Sequence, residues 1–252
     1  MIFEELDSKM RRIEKAQDNL IPKNCFLCAR LDGRGFSRFT EDNFEKPYDF
    51  RFYRYMTETL THLMSCGFNI LIGYTQSDEI SLLFHPADDT YNHKIRKLLS
   101  VLAGEASGFF SIRSGTPVSF DCRLIPLPDE QSVKDYFAWR QEDLHRNSLD
   151  SYCYYAMIKD GMSRTDAAEI LSGKKPDYKI KLLSEEYGIK YDSLPDWQKS
   201  GCIIYHKTET YNGTNKKTGE PVIYTRRELE RNEQLPTGEA FGNYILSFLK
   251  EN

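Results

Sequence analysis

Phe68-Asn69-Ile70-Leu71-Ile72-Gly73-Tyr74-Thr75-Gln76-Ser77-Asp78-Glu79-Ile80-Ser81-Leu82-Leu83-Phe84, residues 68–84, decides the fold. Two apolar runs, 68–74 and 80–84, flank the polar stretch Thr75-Gln76-Ser77-Asp78-Glu79. That pattern predicts two strands closed into a hairpin. Upstream, Asp49 to Cys66 carries Phe52, Tyr55, Met56, Leu60, Leu63 and Met64 at helical spacing and runs into Gly67, a helix stop signal. Before that helix, Cys25 to Leu31 is a near-continuous apolar run and reads as a buried strand, ending in the turn Asp32-Gly33-Arg34-Gly35. Downstream, Tyr91 to Phe110 reads as a helix and Val118 to Ile125 as a strand. The order is strand, helix, strand, strand, helix, strand, which is the split βαβ pattern of ferredoxin-like and polymerase-palm domains.

The expected class is therefore α+β: a palm-like antiparallel sheet with packed helices, followed by a mainly helical half that bears a small hairpin. Phe3 to Asn19 adds a charged helix in front, with Phe3, Leu6, Met10 and Ile13 at helical spacing. Asp135 to Asp160 reads as helix interrupted near His145-Arg146-Asn147-Ser148. Ser163 to Asp166 resembles a helix start, and Pro176 to Tyr187 is a short helix ended by Gly188. Cys202 to Thr210 and Pro221 to Arg227 form the late hairpin. A soft boundary near Leu127 divides a palm-like catalytic region, 1–127, from a helical and hairpin region, 128–252, within one compact unit.

The 252 residues, 40% hydrophobic, suffice for such a core. No run approaches the roughly 20 apolar residues that span a bilayer, and the N-terminus lacks a signal-peptide apolar region. A cytoplasmic protein without a membrane partner is the expectation. Six cysteines are scattered, so no disulfide framework is expected. Cys25 and Cys28 are three apart on a strand and would face opposite sides of the sheet, which argues for core packing over zinc. The net charge of −4 does not mark a constitutively basic nucleic-acid binder. Residues 174–217 nevertheless hold nine Lys against six acids, a local surplus that reads either as solvated surface or as a phosphate-tracking face. Trp139 and Trp197 read as core, with base stacking as the alternative.

Asp32 ends the first strand, and Asp78 and Glu79 sit in the hairpin turn. If those strands are neighbours, Asp32 and Asp78 meet at one edge. Two carboxylates sharing a site repel unless a cation or proton lies between them. Mg²⁺ accepts one or two carboxylates plus phosphate oxygens, and a pair of such ions serves nucleotidyl transfer. Taken locally, though, Asp32-Gly33 and Ser77-Asp78-Glu79 are also ordinary polar turns.

Five ordered blocks shift that balance: Arg30-Leu31-Asp32-Gly33-Arg34-Gly35-Phe36-Ser37-Arg38-Phe39, Phe44-Glu45-Lys46-Pro47-Tyr48-Asp49, Gln76 to Ser81, Phe120-Asp121-Cys122-Arg123 and Asp135 to Asp143. Together they resemble the tRNA-histidine guanylyltransferase superfamily over most of the chain. The resemblance implies a palm working in the 3′-to-5′ direction on the 5′ end of tRNA. It implies two Mg²⁺ ions held by Asp32, the Gly33 carbonyl and Asp78, with Glu79 an acid needed for catalysis. Lys46 and Ser77 match positions near the nucleoside triphosphate, which Gly33, Arg34, Gly35 and Phe36 would wrap. Activation of a 5′-monophosphate by ATP or GTP would precede attack by the 3′-hydroxyl of an incoming nucleotide. A homotetramer is implied on the same basis.

Ser37 stands where eukaryotic members carry His, and His145-Arg146-Asn147-Ser148 stands where they carry His-Ile-Asn-Asn. Both departures resemble the guanylyltransferase-like subgroup that repairs 5′-truncated tRNA by template pairing, with single guanylate addition to tRNA-histidine as the alternative. His145 and Asn147 keep part of the pattern and are candidates to orient the incoming nucleotide or tRNA end, although His145 could equally cap a broken helix. Arg123 and Arg140 are candidate phosphate contacts. A nucleotidyl cyclase and a catalytically silent tRNA-binding protein are the competing classes; the 140–148 block speaks against the first, and the intact acids against the second.

Overall fold

The computed structural model describes residues 3–250. In chain order its elements are α1 (Phe3–Glu14), β1 (Phe26–Gly33), α2 (Phe36–Asn43), α3 (Phe50–Leu63), β2 (Ile70–Gln76), β3 (Glu79–Phe84), α4 (Ile95–Ser114) and β4 (Phe120–Leu127). Then come α5 (Glu130–Lys159), α6 (Arg164–Leu171), α7 (Pro176–Glu186), α8 (Asp196–Ser200), β5 (Cys202–Thr214), β6 (Pro221–Asn232) and α9 (Glu239–Lys250). The strands form one sheet in the order β4-β1-β3-β2-β5-β6, every pair antiparallel. Its first four strands have the split βαβ order that the sequence predicts.

Side-chain alternation sets the layers, because successive residues of a strand face opposite sides. Ala29, Leu31, Ile80, Leu82 and Phe84 point to one face and pack with Met56, Leu60, Leu102 and Phe110 of α3 and α4. Cys28, Ile72, Tyr74 and Leu83 point to the other and pack with Phe137 of α5 and Phe241 and Ile245 of α9. Cys25 leans on the first cluster while Cys28 lies in the second, so the two thiols are divided by the sheet as expected. A third cluster, around Leu149, Cys153, Met157, Ala167, Leu183 and Tyr191, joins the second half of α5 to α6 and α7.

Three expectations need correction. Helix α5 is continuous for 30 residues, with no break at 145–148. Its polar run is accommodated because Arg146 and Asn147 both reach back to Asp143, one turn earlier, at 3.0 and 3.4 Å. His145 therefore caps nothing. Secondly, the late hairpin is not a small appendage of a helical half. Strand β5 pairs with β2 from Ile72↔Tyr205 to Thr75↔Cys202 and carries the sheet to six strands. Thirdly, the helix expected from Tyr91 begins at Ile95, since Tyr91, Asn92 and His93 all adopt positive φ. Helix α1 forms as expected, yet its apolar stripe stays uncovered by this chain: Phe3 is 77% and Ile13 58% exposed.

Phe110 is the hub of the first core. Its ring lies 5.2–6.0 Å from those of Phe36, Phe39, Phe52, Tyr55 and Phe120, within the range of favourable aromatic packing. Phe110→Ala is expected to cost about 3–5 kcal/mol in urea unfolding. A loss below about 1 kcal/mol would show that this cluster does not anchor the fold.

Candidate active site

Strand pairing brings the predicted acids together. In the β1–β3 ladder Asp32 stands opposite Glu79, and the Gly33 N–H donates to the Asp78 carbonyl at 3.1 Å. The hairpin turn is tight: Gln76 pairs with Glu79, leaving only Ser77 and Asp78 between, with Ser77 at φ 46°. Asp78 is pushed up to about 6, first by burial and next by the charge of Asp32, while a bond from Ser77 opposes the shift. The Asp32 charge thus opposes the ionisation of Asp78, an opposition that a cation between two carboxylates would relieve.

Beside Asp78 opens a cleft of about 280 Å³. Its walls include Phe36, Ser37, Lys46, Ser77, Asp78 and Trp197. Lys46 is held over the cleft by its bond to the Thr40 hydroxyl at 2.6 Å. Burial lowers its pKa, and the nearby charges of Glu41 and Asp78 act against that shift. The loop carrying Lys46 is fixed by Asp49, which caps α3 through the Arg51 N–H at 2.7 Å and also accepts the Glu45 N–H at 3.0 Å. The Arg51 guanidinium, above all, pulls the Asp49 carboxyl down to about 2.

Gly33 is a steric necessity, because a Cβ there would overlap the Phe36 ring. Gly35, at φ 72°, turns the chain into α2. Phe36 itself is 1% exposed, so its ring is core and only its backbone is available to a ligand. Arg34 is exposed next to this turn.

Glu79 and Arg140 play a different part from the one expected. Arg140 Nε and Nη2 donate to the two Glu79 oxygens at 2.8 and 2.7 Å, and both side chains are 8% exposed. Gln76 adds a third bond at 3.1 Å, and Arg30 stands 3.6 Å away. Arg140 is therefore committed to Glu79 and is not a free phosphate contact, and Glu79 braces the strand that carries Asp32. Arg123 is exposed on the edge strand β4, 4.0 Å from Asp121, and is not among the cleft residues. His145 packs edge-on against Tyr191, 5.4 Å between rings. Asn147 is exposed one helical turn before Ser151 and two before Tyr155, both of which line the cleft, so it lies on the α5 stripe that faces it.

Several site residues escaped the sequence reading. Tyr155 closes the far wall through its hydroxyl bond to Glu41 at 2.7 Å. Trp197 stacks on Tyr53 with centroids 4.3 Å apart; it packs against the first core cluster, as expected, and also forms a wall of the cleft. Trp139 is 53% exposed, over Arg140, which overturns its core assignment. Asp121 faces Asp32 across the β1–β4 ladder. Long-range placement by the sheet brought these residues in, and only the Phe120–Arg123 block signalled any of them.

A family model described as tRNAHis guanylyltransferase matches residues 7–128, and one described as Thg1 C terminal domain matches residues 131–239. The chain belongs to the tRNA(His) guanylyltransferase family. It is a nucleotidyltransferase. A relative named tRNA(His) guanylyltransferase from Neurospora crassa is 30% identical over 244 residues, covering 87% of this chain and 83% of its own. The probable tRNA(His) guanylyltransferase of Mus musculus is 32% identical, covering 77% and 69%. Among solved structures, a bacterial tRNA(His) guanylyltransferase (Thg1)-like protein in complex with ATP superposes with TM-score 0.77 at 23% identity, over 98% of this chain and 100% of that one. The Saccharomyces cerevisiae enzyme gives 0.70 at 23% identity, over 77% and 91%. These likenesses confirm the α+β palm fold. No helix among the described residues is long and apolar enough to cross a membrane.

The adjacent acids are expected to respond in opposite senses. Asp78 binds its proton more tightly folded than unfolded, so its contribution to stability is full below about pH 4 and lost as pH rises through 6. Without added metal, Asp78→Asn should raise the melting temperature at pH 7.5, with the gain vanishing near pH 4. Glu79→Gln should instead cost about 3–5 kcal/mol by stranding Arg140. Melting curves with the same sign for both variants at pH 7.5 would contradict this division of roles.

Proposed function

We propose that this chain adds nucleotides to the 5′ end of tRNA in the 3′-to-5′ direction, after activating that end with ATP or GTP, and that it repairs 5′-truncated tRNA against a template. The observation that carries the reading is the meeting of two acids beside a cleft whose wall presents Lys46: Asp78 lines that cleft, and Asp32 stands behind it on β1, close enough for its charge to act on Asp78. The mutual repulsion of these carboxylates and their hard oxygen donors fit Mg²⁺, with the Gly33 carbonyl as the further ligand the family resemblance suggests. Two such ions would activate the attacking oxygen and stabilise the leaving one.

The chain's own groups bind and aim. Lys46 supplies positive charge to the triphosphate. The first N–H groups of α2, at Phe36 and Ser37, lack intrahelical acceptors and suit phosphate oxygens. The exposed Ser77 hydroxyl lines the same cleft, bonded to Asp78. Trp197 and Tyr53 offer aromatic surface to a base. Asn147, on the facing stripe of α5, is placed to orient the incoming nucleotide or the tRNA end. In activation, an oxygen of the tRNA 5′-phosphate attacks the α-phosphorus of ATP or GTP and pyrophosphate leaves. In addition, the 3′-hydroxyl of the next nucleotide attacks the activated 5′-phosphorus, and the nucleoside monophosphate leaves.

The relatives' names favour single guanylate addition to tRNA-histidine as the second reading. Ser37 and the His145-Arg146-Asn147-Ser148 block, which depart from the eukaryotic pattern, favour repair. We place the activity in the cytoplasm and the working form as a homotetramer; the uncovered apolar stripe of α1 supplies surface that association could bury.

Purified protein with Mg²⁺, ATP and the four nucleoside triphosphates should restore the template-matched nucleotide to 5′-monophosphorylated tRNAs lacking it, read by 5′-end sequencing. A single G added only to intact tRNA-histidine would select the second reading, and no extension of either would defeat both. Lys46→Ala should weaken apparent affinity for the activating triphosphate roughly tenfold or more, the worth of one charged hydrogen bond. An unchanged KM would remove Lys46 from the site.

A further inference from the structure

Outside the cleft, one group of side chains from two helices converges without serving the chemistry above. His62, on the last turn of α3, and Cys66, four residues on, face Glu105 of α4. The His62 Nε2, Cys66 Sγ and Glu105 carboxylate oxygen all lie within 4.8 Å of one another. His62 and Glu105 are already in contact at 2.7 Å, and the His62 ring is stacked on Phe109, centroids 4.5 Å apart and planes 12° from parallel. All three candidate donors are half-buried, so the place is open to solvent from one side.

We propose that His62, Cys66 and Glu105 form a zinc site that ties α3 to α4. Imidazole, thiolate and carboxylate are three donor types that zinc accepts, at about 2.0–2.3 Å each. Tetrahedral zinc would set those donor atoms roughly 3.5 Å apart. The His62–Glu105 contact of 2.7 Å would open slightly to reach that spacing, and the sulfur already lies within 4.8 Å of both other donors. A hard ion such as Mg²⁺ would be a poor occupant, because nitrogen and sulfur donors favour softer metals. Phe109 holds the imidazole plane, so one ligand is oriented before metal arrives.

The position defines what the metal would do. His62 lies nine residues along α3 from Tyr53, a cleft residue, or about 14 Å of helix. Zinc there would not meet the triphosphate. It would lock the C-terminal end of α3 against α4, one turn beyond the clasp in which Arg113 of α4 holds Glu58 of α3 at 2.6 Å. With water in the fourth position the site is structural in place, yet keeps a coordination position open.

Chelator-treated full-length protein would be titrated with Zn²⁺ in competition with a chromophoric chelator, and separately with Co²⁺ to read sulfur-to-cobalt charge-transfer absorption. One equivalent per chain is expected, with the charge-transfer band present. Cys66→Ser should abolish the band, and both His62→Ala and Glu105→Ala should weaken zinc at least tenfold. Glu105 is on the helix surface, so Glu105→Ala keeps the test valid should a change at His62 disturb folding. Zinc should also raise the melting temperature of the wild type and not of Cys66→Ser. Absence of a saturable equivalent, or affinity unchanged in Cys66→Ser and Glu105→Ala, would overturn the site; adventitious zinc on other thiols gives the second result.

Discussion

A single backbone contact governs the active end of this molecule: the Gly33 N–H on the Asp78 carbonyl, at the point where β1 meets the β2–β3 turn. It extends the β1–β3 ladder by one bond and fixes Asp32 and Asp78 side by side. Asp32 lies within β1, and Asp78 in the two-residue turn that β2 and β3 hold closed. Both are placed by the sheet, which is rigid because α3 and α4 cover one face and α5 and α9 the other. The electrostatic consequence is adverse, since burial and the charge of Asp32 both oppose the ionisation of Asp78. That adverse term is what a bound cation would relieve, so function draws on a local cost in stability.

The second constraint is the Glu79–Arg140 pair. Glu79 follows Asp78 directly, yet its side chain turns to the α5 face and finds a guanidinium 61 residues away. Adjacent acids in one motif thus have separate employments: Asp78 toward the cleft, Glu79 toward the scaffold. The stripe Arg140, Asp143, Asn147, Ser151, Tyr155 runs along α5 from that ion pair to the cleft wall. One long helix therefore supports the strand bearing Asp32 and supplies the opposite side of the site. Through Arg140 and the nearby Arg30, Glu79 thereby ties α5 to the strand bearing Asp32.

Much of the first half was legible in sequence because its signals are local. Apolar runs, a Gly67 stop and the polar stretch 75–79 specify β1, α3, β2 and β3 with little help from elsewhere, although the strands extend into that stretch and leave only Ser77 and Asp78 as the turn. Asp32 and Asp78 were legible once the strand order was inferred. What the sequence did not disclose depends on partners far along the chain. The polar run 145–148 imitates a break, but Asp143 satisfies Arg146 and Asn147 within the helix. Strand β5 joins the main sheet because β2 offers a free edge, which no pattern within 202–214 reveals. Trp197 reaches the cleft because Tyr53 stacks on it and the Tyr74 hydroxyl holds the Ser200 carbonyl at 2.9 Å, contacts across more than a hundred residues.

The central claim, that Asp32 and Asp78 jointly hold the catalytic cations, is tested most directly by counting them. Mn²⁺ would replace Mg²⁺ in the presence of a non-hydrolysable nucleoside triphosphate, and bound metal would be read by electron paramagnetic resonance. The account predicts two saturable Mn²⁺ per chain in the wild type and loss of at least one in each of Asp32→Asn and Asp78→Asn. Wild-type stoichiometry and affinity in both variants would contradict it.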